Sequence, residues 1–498
     1  MAKFILISRR AKEKNKMVTR NNPNRTEPTG RPLSTTDLKK ILSLALSRGG
    51  DFADIFLEYR TSLSILMEED IIKESSESIT LGLGIRVISK DRTGYAYTND
   101  LSEEKLKSAA LAAAAVANSP ARVSLPARFR PRRISGQVAR ARLIANSRPL
   151  REKMDLVERA YRSALNYDQA IKKVQVAYGE FLQKVWIVNS EGLSAGDSRP
   201  MVKLVAMALA EKNGRRESGF AGGGGRVGLE YFARGLTPET IGQEAAREAC
   251  LLLEAVDPPA GEMPVVLGPG VTGILLHEAI GHGMEADFNR KNVSTFSTMI
   301  GKKVAEPFVN IIDDGTNERL PGSLNVDDEG TPGQKTYLVE NGILTSYMHD
   351  KISAKYYRVK PTGNGRRQSY EHYVQPRMRN TYMLAGPSTP DEVVGSVQKG
   401  IYIKDVSNGQ VKIGEGDFAF YVSQGNMIEN GKLTAPIKDV NIMGNGPKML
   451  ANITMLANDL QMNRGGGGQC GKGGQGVPVG FGQPTCLVHS MTVGGVNA

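Results

Sequence analysis

His277 and His282, with Glu278 between them and Glu285 and Asp287 close behind, place two imidazoles and three carboxylates in residues 277–287. The chain has only 5 histidines, so two in one short run is a strong concentration. Imidazole nitrogens hold a divalent metal, and a neighbouring carboxylate can take a proton from water. The grouping implies hydrolysis at a zinc centre.

Histidines at i and i+4 of a helix lie about 40° apart and face one ion, as in the HExxH pattern. Here the spacing is i and i+5, which separates them by about 140° on a regular helix. A π-bulge, which adds one residue to a turn, restores a common face. Gly281 and Gly283 flank His282 and lack a β-carbon, so the backbone there can make that turn or end the helix.

Catalytic zinc typically takes three protein ligands and keeps one position open for water. Cys470, in the glycine-dense run 464–476, offers the third. Glycine lets a backbone come close to a buried ion, and Lys472 favours the thiolate electrostatically. Two plainer readings of Cys470 stay open: a buried small residue, and a free thiol on an exposed loop. Glu278 takes the general-base position. Glu285 and Asp287 read as acceptors for histidine N–H groups or as a salt bridge to Arg290, with a solvated helix face as the alternative.

The same glycine run comes close to a phosphate-binding P-loop at Gly466 and Gly471-Lys472. Gly473 stands where a Ser or Thr would hold Mg²⁺, and no helix pattern follows, so nucleotide binding is not expected. Cys486 and His489 lack a recognisable nucleophile signature, and His349 and His372 have no visible partner.

These groups need a large scaffold, and 498 residues suffice for two to four domains. The 55 glycines suggest many tight turns, as in a sheet-rich architecture. Three cysteines are too few for a disulfide framework and fit a reducing cytoplasm, with Cys250 read as core filler in a helix. No apolar run reaches the roughly 18 residues of a spanning helix, so no membrane partner is expected. Phe4-Ile5-Leu6-Ile7 is too short for a secretory signal and precedes its charges. The basic tail reads as solvated, with a transit peptide as the alternative; Met17 is a second candidate start. The net charge of +12 would suit nucleic acid, but much of the excess sits in residues 9–31 and 122–148. Neither stretch interleaves aromatics with its basic residues, so specific nucleic-acid binding is not expected.

The expected fold class is α+β: two N-terminal α+β domains and a β-rich C-terminal catalytic domain carrying the HExxxH helix. The boundaries read as a basic tail 1–32, a domain 33–120, a basic linker 121–149, a domain 150–257 and a domain 258–498. Apolar periodicity places helices at 38–45, 101–117, 150–166, 237–255 and 449–460. Strands are expected at 53–59, 61–68, 79–88, 95–97, 171–181, 184–190 and 202–212. Residues 215–226, with four consecutive glycines, read as a flexible loop. From 264 onward short strands alternate with Gly, Asn and Asp turns, a spacing that fits antiparallel pairing.

The run HEAIGHGMEADFNRK, residues 277–291, resembles the metallopeptidase signature of the TldD/PmbA family, on its TldD side. Residues 362–367, 380–384, the Cys470-Gly471-Lys472 loop running into 477–480, and the tail 491–495 agree with it. The resemblance spans roughly Leu33 to Val496. It implies a zinc protease of small or unfolded peptides, with Zn²⁺ held by His277, His282 and Cys470 and with Glu278 as the catalytic carboxylate. It also implies pairing with an inactive TldE/PmbA-type homologue that lacks the metal motif, this chain being the active partner. The alternative is a non-catalytic interaction subunit of such a complex with a structural metal. Burial of the zinc in a chamber between subunits would admit only extended chains, which could add as a strand to a sheet edge.

Overall fold

The computed structural model describes residues 32–117, 124–131, 144–233, 235–464 and 468–495. The fold is mixed α+β and richer in strand than in helix. The basic tail through Arg31 and most of the 121–149 arm lie outside the described residues.

The first helix, α1 (Thr35–Ala45), starts where its capping residues dictate. The Ser34 hydroxyl accepts the Asp37 N–H, and the Asp37 carboxylate accepts the Ser34 N–H. Leu38, Ile41, Leu42 and Ala45 bury one face of it. There follow β1 (Phe52–Glu68), β2 (Ile71–Ser89), β3 (Arg92–Thr98), α2 (Glu103–Ala114) and the two-residue β4 (Arg130–Pro131). The next segment gives α3 (Leu150–Leu165), β5 (Ile171–Asn189), β6 (Leu193–Lys212), β7 (Arg215–Gly225) and α4 (Pro238–Leu252).

One sheet of order β3-β2-β1-β5-β6-β4, with β7 on β6, carries all of these strands. Its seam is the antiparallel β1–β5 pair, in register from Asp54↔Asn189 to Glu68↔Gln175. The strands expected at 53–59 and 61–68 are therefore one strand, as are those at 171–181 and 184–190. Polar residues interrupt the apolar alternation there, but backbone pairing continues past them, and Arg60 stacks 4.1 Å over the Phe181 ring.

Residues 215–225 form a strand, not the expected flexible loop, paired with β6 from Val202↔Gly225 to Lys212↔Arg215. The glycines serve close packing. A β-carbon at Gly219 would sit 2.1 Å from the Ala245 carbonyl oxygen on α4, and one at Gly223 would sit 2.3 Å from Leu236 Cδ2. Glycine's poor strand propensity is overridden because a bare backbone is needed where α4, Leu236 and the neighbouring strand approach this closely.

The C-terminal part holds two further seven-stranded sheets. One joins Lys399–Lys412, Gly261–Leu267, Cys486–Gly495, Val440–Asn445, Asp417–Glu429 and Lys432–Ile437 in that order, with Ile453–Leu456 added on Cys486–Gly495. The other includes Ile311–Asp314, Asn380–Met383 and Gln475–Gln483, with Gly468–Lys472 hairpinned on the last. Pairing is antiparallel except at Asn380–Met383 with Gln475–Gln483 and at Lys399–Lys412 with Gly261–Leu267. The helix expected at 449–460 is shorter and earlier, Gly446–Ala451, and gives way to the strand Ile453–Leu456. Ile453 and Leu456 follow the strand instead because they bury against residues 486–488. The core between these sheets contains Leu275, Leu276, Ile280 and Met284, so the motif helix is packed on several sides. Among the described residues no helix is long and apolar enough to cross a membrane.

Candidate metal centre

The motif begins as a short helix, Gly273–Leu276, and changes pitch at the first histidine. Residues His277–Gly281 form a π turn, in which the His282 N–H donates to the His277 carbonyl five residues back. That inserted residue turns both imidazoles to one side. Their ring centroids lie 5.2 Å apart at an interplanar angle of 81°.

Glycines elsewhere make room for this turn. A β-carbon at Gly273 would meet the Gly482 backbone at 2.7 Å, and one at Gly446 would meet the Ala279 carbonyl oxygen at 2.0 Å. At Gly281 a β-carbon would lie 2.2 Å from Met378 Sδ. Neighbouring backbone therefore touches the helix directly and leaves it little freedom to shift.

Cys470 arrives from the distant hairpin Gly468–Lys472/Gln475–Gln483, opposite Val477. It sits on a paired strand, not on the loose glycine loop the composition suggested; residues 465–467 of that run lie outside the described residues. Gly473 and Gly474 make the turn with φ of +57° and +73°, the pair of left-handed residues a tight hairpin needs. The Arg377 guanidinium donates to the carbonyls of Cys470 and Gln475, tying both strands.

One donor atom from each of His277, His282 and Cys470 falls within 4.8 Å of the others, and all three residues are buried. Cys470 Sγ is 3.4 Å from His282 Nε2. His282 Nδ1 is 2.9 Å from Glu285 Oε2, which holds the ring so that Nε2 faces the thiol. Both ring nitrogens of buried His277 lack a hydrogen-bond partner. Burial opposes ionisation of Cys470, but the adjacent His277 and His282 rings outweigh it and hold the thiol well below its usual range. Burial likewise opposes charge on His282, and Glu285 and Cys470 overcome it, so its pKa lies well above the ordinary value. An orphaned imidazole, an oriented imidazole and a thiol poised as thiolate fit a borderline-soft divalent cation such as zinc.

Glu285 is fully buried, and burial alone would keep it protonated. The Lys472 ammonium at 3.0 Å and His282 hold it down to about 2 instead. Lys472 also reaches Asp287 at 2.7 Å and lies 4.3 Å over the Phe288 ring. Of the two carboxylates expected to serve the histidines, Glu285 meets one and Asp287 meets Lys472, not Arg290. Glu278 sits at the mouth, its carboxylate 3.7 Å from His282 Nε2 and its side chain 31% exposed. It is more open to solvent than Asp287, at 18%, or the fully buried Glu285. Arg377, Met378, Gly446 and Phe481, whose ring centroid lies 6.0 Å from that of His277, were not singled out from the sequence. Their types carry no chemical signature, and their roles depend on pairings the sequence does not spell out.

Residues 260–495, 144–253 and 53–117 match the C-terminal, central and first domains of PmbA/TldA metallopeptidases. A metalloprotease TldD homologue of Haemophilus influenzae is 40% identical over 484 residues, covering 96% of this chain and 100% of that protein. The chain belongs to the TldD/PmbA metallopeptidase family. A zinc metalloprotease TldD homologue of Saccharolobus solfataricus is 37% identical over 244 residues, 49% of this chain and 54% of that protein. The fold is also that of TldE from Thermococcus kodakarensis, with a TM-score of 0.72 at 20% identity, covering 92% of this chain and 100% of that one.

Proposed function

We propose that this chain is the active, zinc-dependent subunit of a TldD/TldE-type protease that cuts small or unfolded peptides. The observation that carries the reading is the buried His277, His282 and Cys470 set with Glu278 at its mouth.

Zinc held by those three residues would acidify a water and polarise a peptide carbonyl. His277 and Cys470 supply the nitrogen and the sulfur, and Glu285 keeps the His282 tautomer fixed through Nδ1. Glu278 accepts a proton from the attacking water at its partly exposed carboxylate and returns it to the leaving amine. Burial of the donors limits access to an extended chain, which a folded protein cannot present. The partner is a homologous TldE/PmbA-type subunit, and the setting is a reducing cytoplasm that suits the three free thiols.

The test is Glu278→Gln in the complex with the homologous partner. Zinc stays bound at one equivalent by metal analysis while peptide-library cleavage falls by at least roughly 10²-fold, the lower end for lost acid–base catalysis. Full cleavage by that variant would leave only a structural role for the metal.

A further inference from the structure

Behind the Cys470 hairpin lies a cavity of about 190 Å³ between that hairpin and the N-terminal sheet. Its walls include Arg60, Arg199, Arg226, Arg366 and Arg367, against the single carboxylate Asp328. Gln469 and Pro478, a cross-strand pair next to Cys470↔Val477, close one side. Side chains alternate along a strand, so Gln469 points to the face opposite the thiol, while Val477, across from Cys470, borders the cavity as well.

Asp328 is already engaged. One oxygen accepts from Arg199 Nη1 at 2.6 Å and the other from the Arg367 backbone N–H at 2.7 Å. Arg226 is 2% exposed; its Nε has no partner and its Nη1 reaches only the Pro200 carbonyl at 3.5 Å. Arg366 spends its donors on the Met378 and Pro478 carbonyls and has no ion-pair partner among the described residues. Arg367 Nε is buried without a partner as well. Burial, with Arg199 and Arg366 nearby, presses Arg226 down to about 9, and burial presses Arg366 down to about 10. Guanidiniums buried without countercharge are costly, and their planar donors match oxyanions bidentately.

We propose that this cavity binds a multiply charged oxyanion of the phosphate class. Arg199 also pairs with Asp197 at 3.1 Å and Arg367 with Asp54 at 3.6 Å, so the surplus rests on Arg226 and Arg366, with Arg60 at the rim, and a dianion neutralises it better than a monocarboxylate. Arg60 is half-buried and Gln368 is exposed, so the ligand enters from that edge. The site is separate from the proposed chemistry and stands whether or not the chain is a protease.

The test titrates inorganic phosphate into the purified full-length protein at constant ionic strength, read by thermal melting and ³¹P NMR. Through linkage, phosphate up to about 10 mM raises the melting temperature saturably. Acetate at the same concentrations does not. Arg226→Met weakens phosphate binding about tenfold or more, the loss expected for a charge-assisted contact. Arg60→Ala, at the half-buried rim, also weakens it. No saturable effect, an equal effect of acetate, or phosphate affinity unchanged in both variants would overturn the proposal.

Discussion

Replacing Glu285 by glutamine separates the metal's ligands from the carboxylate that tunes them. Glu285 Oε2 takes both the His282 Nδ1 proton at 2.9 Å and the Lys472 ammonium at 3.0 Å, while Oε1 is buried without a partner. A glutamine with its amide oxygen in the Oε2 position keeps both contacts and fills the same volume. The negative charge is lost, along with the basicity it lends the imidazole, and the amide NH2 takes the partnerless Oε1 position. Partners of this kind are worth roughly 10–100-fold in metal affinity, or about 1.4–2.7 kcal/mol. Lys472 keeps Asp287 at 2.7 Å and the Pro376 carbonyl at 3.1 Å, so it is not stranded by the exchange. The assay is competition for zinc against a chelator at fixed pH, with a melt of the metal-free protein run alongside. Cobalt substitution reports the ligand geometry: d–d bands should keep the parent pattern while affinity falls. A dissociation constant within about twofold of the parent, in a folded variant, would show that the Glu285 charge does not tune the site.

Glu248 on α4 is pushed up to about 7, by burial first and then by Asp405, itself pushed up to about 6 by burial. A carboxyl raised on folding contributes stability below pH 4.5 that is lost as pH rises through 7; Glu248→Gln should therefore raise the melting point at pH 8 and leave it nearly unchanged at pH 5. The gain at pH 8 is bounded at about 3 kcal/mol, and equal effects at both pH values would exclude the linkage. Gly446→Ala puts a β-carbon 2.0 Å from the Ala279 carbonyl oxygen in the π turn, so it should cost about 1–3 kcal/mol and weaken zinc binding without touching a ligand. Parent stability and affinity in that variant would contradict the close-approach account.

The local chemistry was legible and the long-range packing was not. An i, i+5 pair of histidines admits few geometries that share a face, and the structure adopts the π turn at His277–Gly281 that the spacing called for. Cys470 stood out in the sequence as a lone thiol among glycines, and the structure buries it in the core beside both histidines. Its hairpin was missed, since glycine reads as loop and only the partner strand 475–483 reveals the ladder. The same bias hid Arg215–Gly225, where Gly219 makes room for α4 and Gly222 to Gly225 make room for β6, Leu236 and Arg319. Lys472 was assigned to the thiolate by sequence proximity, whereas burial and geometry give it to Glu285 and Asp287. The β1–β5 seam, joining segments more than a hundred residues apart, leaves no mark in local periodicity.

Strand geometry explains why the cysteine and the lysine act together. Cys470 and Lys472 lie two residues apart on one strand, so their side chains share a face about 6.6 Å apart. His282 and Glu285 lie three residues apart on the facing segment, and the two pairs engage in parallel: Cys470 with His282, Lys472 with Glu285. One rigid hairpin thereby delivers a donor atom and, through Glu285, the orientation of the neighbouring imidazole. A slip of one residue would turn both side chains to the arginine cavity and replace them with Gln469 and Gly471, which can do neither task. The two-residue Gly473-Gly474 turn fixes the register. Arg377, bridging the carbonyls of Cys470 and Gln475, braces it from the side. The glycine-rich run thus sets the alignment of the donor set, although none of its glycines offers a side chain to the metal.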